Sequence, residues 1–397
     1  MRRLLLACAV GLSACKPGAS TSADAGSPIA SSASSVAPLA STVDAGRPRL
    51  AEITLGGGHG CGRASNGNVR CWGGNASGEL GDGTKEPSPA PVPVLGLRDA
   101  VELAAGFAYT CARTKDGAVR CWGTGSAGTL GDGTTTGERP SPGPVSGVSG
   151  TTSLAGGWAH VCAVQSESDV RCWGYNKSGQ LGDGTTERRY APVAVSGLSG
   201  VAALALGVEH SCARTTVGTV LCWGGNDAGQ LGDGTTKSRP LPEPVKGLAN
   251  VAELSVGGAH SCARTKDGAV SCWGSNLLGQ LGDGGTTNAY SWKRVPDLAD
   301  VVALSAGQSH TCAITRDGAV WCWGDNTHGQ LGQKSACDRP AKHPTREGRP
   351  SFCPEAKAVP DIANAELLAA GADETCAGLR DGSVRCWGVN GNRTVAR

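Results

Sequence analysis

A chain of 397 residues with 62 glycines, two phenylalanines and one methionine, and without heptads, is a poor source of long helices. Its 36 Lys and Arg nearly cancel its 34 Asp and Glu, leaving a formal charge of +2, which argues against a nucleic-acid footprint. The 18 cysteines make the redox compartment the first question.

Met1-Arg2-Arg3 is a short positive segment, and residues 4–12 are an apolar run far below the roughly 20 residues needed to span a bilayer. Residues 1–14 therefore read as a signal peptide. They end in Leu12-Ser13-Ala14-Cys15, which looks like the lipobox of bacterial lipoproteins. That resemblance implies cleavage before Cys15 and lipidation of its sulfur, and Lys16 beside it suggests outer-membrane sorting. An ordinary secretory peptide with an incidental cysteine is the alternative. Residues 15–48 are Ala, Ser, Pro, Gly and Thr with almost no large apolar side chains, the composition of a flexible tether.

From residue 49 to 397 one module recurs. Its ruler is the triplet beginning at Cys71, Cys121, Cys172, Cys222, Cys272, Cys322 and Cys386, spaced by about 50 residues except for a last step about 14 longer. A partner cysteine stands ten positions before each: Cys61, Cys111, Cys162, Cys212, Cys262, Cys312 and Cys376. Turns such as Lys115-Asp116-Gly117 between them predict hairpins in which the two cysteines face one another. Glu167-Ser168-Asp169 lacks the glycine, so the third turn is expected to differ. Zinc would need converging ligands and close-spaced pairs, and the chain has no C-x-x-C. Seven intra-hairpin disulfides are the favoured reading, with buried free thiols as the alternative. Cys337 and Cys353 would close an eighth.

Each module offers four short strand candidates, in the fourth unit residues 201–206, 210–214, 219–223 and 244–245, which predicts an all-β, seven-bladed β-propeller of four-stranded blades. Small residues such as Ala104-Ala105-Gly106 and Ser305-Ala306-Gly307 end the first strands and suit crowding at an axis. The seven tryptophans of the Cys-Trp-Gly triplets would fill gaps between blades, each with one indole N–H to satisfy.

The run G-x-x-H-[ST]-x-A-x-T-x-D-G-x-V-x-x-W-G-x-N-x-x-G-Q-L-G-D-G, nearly whole at 257–284 and 307–332, resembles the regulator of chromosome condensation repeat. The resemblance covers the chain beyond the tether and implies a seven-bladed propeller whose repeats and blades can be out of phase. The cysteine pair in every hairpin departs from that pattern and fits an exported version. The seventh unit lacks Gly-Gln-Leu-Gly, so its outer strand would come either from residues 39–43 or, preferably, from 394–396.

Five units place a histidine two residues before the first cysteine: His59, His160, His210, His260 and His310, with Tyr109 and Glu374 in the others. Blades hold equivalent atoms too far apart for a shared metal, and a hydrogen bond within each histidine's own blade is expected. Asp82, Asp132, Asp183, Asp233 and Asp283 stand singly and read as turn residues. Lys85, Arg139, Arg188, Arg189, Lys237, Arg239, Lys293 and Arg294 follow them as a solvated rim, or as a surface for anions. The insertion at about 333–357 breaks the repeat, and Lys334, Arg339, Lys342, Arg346 and Arg349 are candidate partner-binding residues there.

No Walker loop, nucleophile elbow or paired-carboxylate spacing stands out, and no cofactor is expected. The reading is a monomeric, lipid-anchored propeller of the bacterial cell envelope that binds a protein or polysaccharide, without catalysis and without nucleic acid. The alternative is a regulatory propeller, such as a guanine-nucleotide exchange factor for a small GTPase, in the cytoplasm.

Overall fold

The computed structural model describes residues 48–135, 137–333 and 352–396. They form seven four-stranded antiparallel sheets in which each strand pairs with the next in sequence. We number these blades 1 (50–93), 2 (100–144), 3 (153–194), 4 (201–244), 5 (251–294), 6 (301–358) and 7 (365–396). Blade and repeat are in phase, because every blade is one continuous stretch of chain.

Blade 4 shows the plan: Val201–Leu206 innermost, then His210–Thr215, Val220–Gly224, and Arg239–Pro244 outermost. The outer strand thus begins before the expected residues 244–245. Its sequence RPLPEP hides it, since proline cannot donate to a ladder, but an edge strand leaves one row of N–H groups unused.

Each hairpin sets its cysteines directly opposite, as in Cys212↔Cys222. In blade 1 the turn bond from Ala64 N to Asn68 O fixes the parity, so Cys61↔Cys71 is a non-hydrogen-bonded pair, the kind whose side chains lie closer. All seven predicted hairpin pairs are disulfides, with Cα–Cα separations of 4.0–4.1 Å. Cys353 is disulfide-bonded too, while Cys337 lies outside the described residues. The turn glycines take the left-handed conformation, Gly117 at φ 79° among them. The third hairpin, without glycine, shortens its turn so that Ser166 pairs with Asp169.

There is no central core. Buried side chains instead form seven clusters, most of them bridging neighbouring blades: Val170, Leu181 and Val195 of blade 3 pack with Leu204, Ala213 and Trp223 of blade 4. Each such interface excludes water from several aliphatic side chains at about 25 cal/mol per Å² buried.

Closure uses no exchanged strand. Arg393–Ala396 folds back as the outer strand of blade 7, as preferred from the sequence. Around the axis the turn between first and second strands in each blade bonds to the next: Phe107 N to Trp158 O, Trp158 N to Gly207 O, Val208 N to Gly258 O, Gly258 N to Gln308 O and Gln308 N to Gly371 O. Gly57 N to Gly106 O and Ala372 N to Gly56 O, at 3.4 Å, complete the ring.

Candidate functional site

The recurrent polar residues build a lock between blades rather than a pocket. His210 Nε2 lies 3.0 Å from Ser261 Oγ of blade 5, and the corresponding distances for His59–Thr110, His160–Ser211, His260–Thr311 and His310–Thr375 are 2.8–2.9 Å. These bonds cross to the next blade and do not stay within the histidine's own, contrary to expectation. Each hydroxyl donates back to a carbonyl of the histidine's blade, as Ser261 does to Gln230 O at 3.0 Å. The same carbonyl accepts the indole N–H of the next blade's tryptophan, Trp273 Nε1 at 2.9 Å. Because the hydroxyl proton is committed to the carbonyl, Nε2 must carry a hydrogen, and Nδ1 of His160, His210, His260 and His310, buried with no partner to accept from it, holds no second one, so these rings are neutral.

Burial agrees, driving the pKa values of His160, His210 and His310 down to about 3 and of His59 and His260 to about 4. Nearby imidazoles lower that of His210 further. The glycine three residues earlier makes room for the ring: a β-carbon on Gly207 would lie 2.6 Å from Cε1 of His210. The Gly-x-x-His-[Ser/Thr] pattern is therefore a packing rule.

Both exceptions obey it. Blade 3 carries Val161 where most other blades have the hydroxyl, and blade 2 answers with Tyr109, whose single OH proton is shared between Gly157 O at 2.8 Å and His160 O at 2.7 Å. Blade 1 carries Gly60 at that position, and blade 7 answers with Glu374, bonded to Arg393 at 2.8 Å and Asn390 at 3.3 Å. At this seam blade 7 has no Gly-Gln-Leu-Gly loop, and the buried indole N–H of Trp72 finds no acceptor.

The single aspartates are turn residues, as expected. Asp183 Oδ1 accepts from Thr185 N at 3.0 Å and from the amide of Asn176 at 3.2 Å. Its other oxygen holds Arg189 at 2.8 Å, and Asp283 holds Lys293 at 3.0 Å. Arg139 pairs with Asp132, Arg239 with Asp233 and Lys85 with Glu138. Much of the rim is thus neutralised locally. Deeper in, Glu52, Glu102 and Glu253 each hold an arginine of their own blade and accept a backbone N–H from the next, Glu52 from Leu103 at 3.1 Å. Burial pushes the Glu52 carboxyl up to about 7 despite Arg63. Among the described residues no cluster of three or more His, Cys, Asp or Glu is placed to hold a metal.

What this scaffold leaves free is the axial mouth. The turn tips around it are Gly57, Phe107, Trp158, Val208, Gly258, Gln308 and Ala372, which line a cavity of about 130 Å³. Phe107 and Trp158 stack with centroids 4.2 Å apart at 23°, and Phe107 is 50% exposed. One arc of the mouth is aromatic; across from it stand Gly258, Gln308 and Ala372. The loops between third and outer strands open on the same face, since Gly74 N bonds to Gly58 O of the turn. In blade 6 that loop carries the insertion, so Lys334, Arg339, Lys342, Arg346 and Arg349 lie outside the described residues but between flanks on this face. Cys15 is outside them as well. The aromatic pair was not singled out from sequence, although Phe107, one of only two phenylalanines, and Trp158 stand at the same repeat position in neighbouring units.

Residues 17–296 match the RCC1-like domain, and residues 301–330 and 317–358 match the regulator of chromosome condensation (RCC1) repeat. The chain belongs to the RCC1-like family. No curated protein sequence matches this RCC1-like propeller. Among solved structures, Prp20p from Saccharomyces cerevisiae, studied for its binding to Gsp1p and histones, superposes with TM-score 0.72 at 22% identity, over 88% of each chain. Human WBSCR16 gives 0.70 at 22% identity, over 83% of this chain and 86% of its own. The CRINKLY WD40 ectodomain of the Arabidopsis thaliana receptor kinase ACR4 gives 0.51 at 21%, over 88% and 99%. At these identities the likeness is one of fold.

Proposed function

We propose that this RCC1-like propeller is a lipid-anchored binding module of the bacterial envelope, held at Cys15, that receives a protein or polysaccharide partner on its axial face and performs no catalysis. The observation that carries the reading is the pairing of cysteines in all seven hairpins, which suits an oxidising compartment. The repeated histidines, aspartates and most rim cations serve the scaffold. The stacked Phe107 and Trp158 and the flanks of the basic insertion remain on one face for a partner. Prp20p and the ACR4 ectodomain offer precedents, a protein-binding propeller and an extracellular one.

Fractionation of cells expressing the wild-type and Cys15→Ala proteins tests it. The expected result is a membrane-bound wild type and a variant released from the membrane. An unprocessed, soluble cytoplasmic pool unaffected by the change would favour the alternative, a propeller regulating a GTPase in the cytoplasm.

A further inference from the structure

The outer strands align through their register, because the third-strand glycine pairs with the residue that starts the repeat of each edge: Gly73↔Ser88, Gly123↔Arg139, Gly174↔Arg189, Gly224↔Arg239, Gly274↔Ala289 and Gly324↔Cys353. Counting from there, the second, fourth and sixth positions are all proline in blades 1, 2 and 4. Blade 3 keeps one proline, Pro192, and blade 6 keeps Pro354. Blade 5 has none: its outer strand, Ala289–Arg294, reads AYSWKR, with Tyr290, Trp292 and Arg294 in those places.

These are the positions whose N–H groups face away from the sheet. Val295 N bonds inward to Val270 O at 2.9 Å, so Lys293 shares that side and Trp292 and Arg294 point the other way. Proline at the corresponding places in blades 1, 2 and 4 removes outward donors, a usual means of blunting an exposed edge. Blade 5 keeps its donors, and no strand follows Ala289–Arg294 in its sheet. The blade 4 loop occupies only the beginning of the edge, where Gly234 N reaches Tyr290 O at 2.8 Å. The outer strand of blade 7, also without proline, lies against that of blade 1.

The side chains on this edge match the backbone. Tyr290 is 47% exposed and Trp292 37%, and Trp292 is steadied by an indole bond to Lys246 O at 3.2 Å. Lys293 is held by Asp283, while Arg294, exposed at the end of the strand and felt by Asp267, and Lys246, exposed and joined to the indole through its main-chain carbonyl, supply positive charge beside the open stretch.

We propose that the outer edge of blade 5 is a strand-addition site, which takes an extended acidic segment of a partner polypeptide as a fifth strand. Main-chain bonds to the Trp292 and Arg294 amides supply affinity, the two aromatic rings take apolar side chains at alternate residues, and the cations select carboxylates.

Panning a random-peptide display library on the full chain, with counter-selection on Trp292→Pro, tests the site. That variant restores the residue of blades 1–4, and circular dichroism and thermal unfolding verify its fold. Enriched peptides should be acidic, lack proline in their contact stretch, and bind Trp292→Pro at least about tenfold more weakly, the effect of a lost main-chain bond with a displaced strand. Trp292→Thr, which keeps the amide, should lose clearly less, and hydrogen exchange at Trp292 and Arg294 should slow in the complex. Peptides that bind wild type and Trp292→Pro alike, failure to enrich any peptide, or equal losses in the proline and threonine variants would each overturn the proposal. So would a wild-type protein that self-associates in sedimentation while Trp292→Pro stays monomeric, since the edge would then belong to a second copy.

Discussion

The indole of Trp72 lies over Gly60 so closely that a β-carbon there would come within 2.7 Å of Cζ2. The six tryptophans that stand at the same place in the other repeats, directly after the second hairpin cysteine, bond to a carbonyl of the preceding blade, but the blade before Trp72 has no such loop. Trp72 packs instead among Ile53, Leu55, Leu367 and Val384 at the seam. Gly60 leaves the room for it, whereas a β-carbon on Gly62 would only reach ordinary contact with the ring, 3.6 Å from Cζ3.

Gly60→Ser should therefore destabilise the protein by roughly 1–3 kcal/mol through overpacking, although serine is the residue that blades 4 and 5 carry at that place. Urea unfolding of the wild type and variant measures it; an unchanged or raised midpoint would show that Trp72 has another rotamer available.

Tyr109 and Val161 should behave as one unit. Tyr109→His alone loses the hydroxyl proton shared by two carbonyls and leaves an imidazole N–H facing a valine, while Val161→Thr alone crowds a hydroxyl beneath the tyrosine. Together they recreate the His–Thr lock present between blades 5 and 6. A double-mutant cycle on unfolding free energies should give a favourable coupling of about 1 kcal/mol or more. Additive effects would mean that the two positions do not share an interface.

This pairing was visible in the amino-acid order, since the two units lacking histidine are each followed by a unit lacking the hydroxyl. It passed unread because spacing places a residue on a strand without telling which neighbour its side chain meets, and the histidines were expected to bond within their own blades. The hairpins, the seven blades and the fold-back of residues 394–396 were legible, because cysteine spacing and turn glycines are local signals. The start of the outer strand was not, since Arg239-Pro240-Leu241-Pro242 reads as loop until an edge position excuses its prolines. Phe107 and Trp158 share a repeat position whose other occupants have no common chemistry, and they become a pair only when adjacent turns meet at the axis.

Acid should weaken the whole ring. The five lock histidines are neutral when folded, with pKa values of about 3 to 4, and protonate near 6.5 when unfolded. Below pH 6.5 the unfolded chain binds more protons, so stability falls as pH drops and goes on falling until pH 3 to 4. Glu52 works in the opposite direction between about pH 4.5 and 7, because its raised pKa makes the folded state hold a proton longer; burial raises Glu253 and Asp373 as well, so three carboxyls oppose five imidazoles. The denaturant midpoint should decline steadily from pH 6.5 to 4, and His210→Gln should reduce that slope by about a fifth. A flat profile would mean that the imidazoles are protonated in the native protein.

Loss of a disulfide should matter most at the seam. In a chain-entropy estimate each short hairpin loop contributes about 2–3 kcal/mol, so replacing Cys212 and Cys222 with alanine should cost that much, plus the loss of buried sulfur beside Val251 and Trp273. The Cys376–Cys386 bridge lies in the cluster that holds Trp72, where the histidine lock is missing and the outer strand spans only Arg393–Ala396. With fewer interactions between blades 7 and 1 to hold the hairpin when its bridge is gone, the Cys376→Ala, Cys386→Ala protein should open there first. Limited proteolysis should cut it near residues 389–392 at denaturant concentrations that leave the Cys212→Ala, Cys222→Ala protein intact. Equal resistance in the two would place the weakest interface elsewhere in the ring.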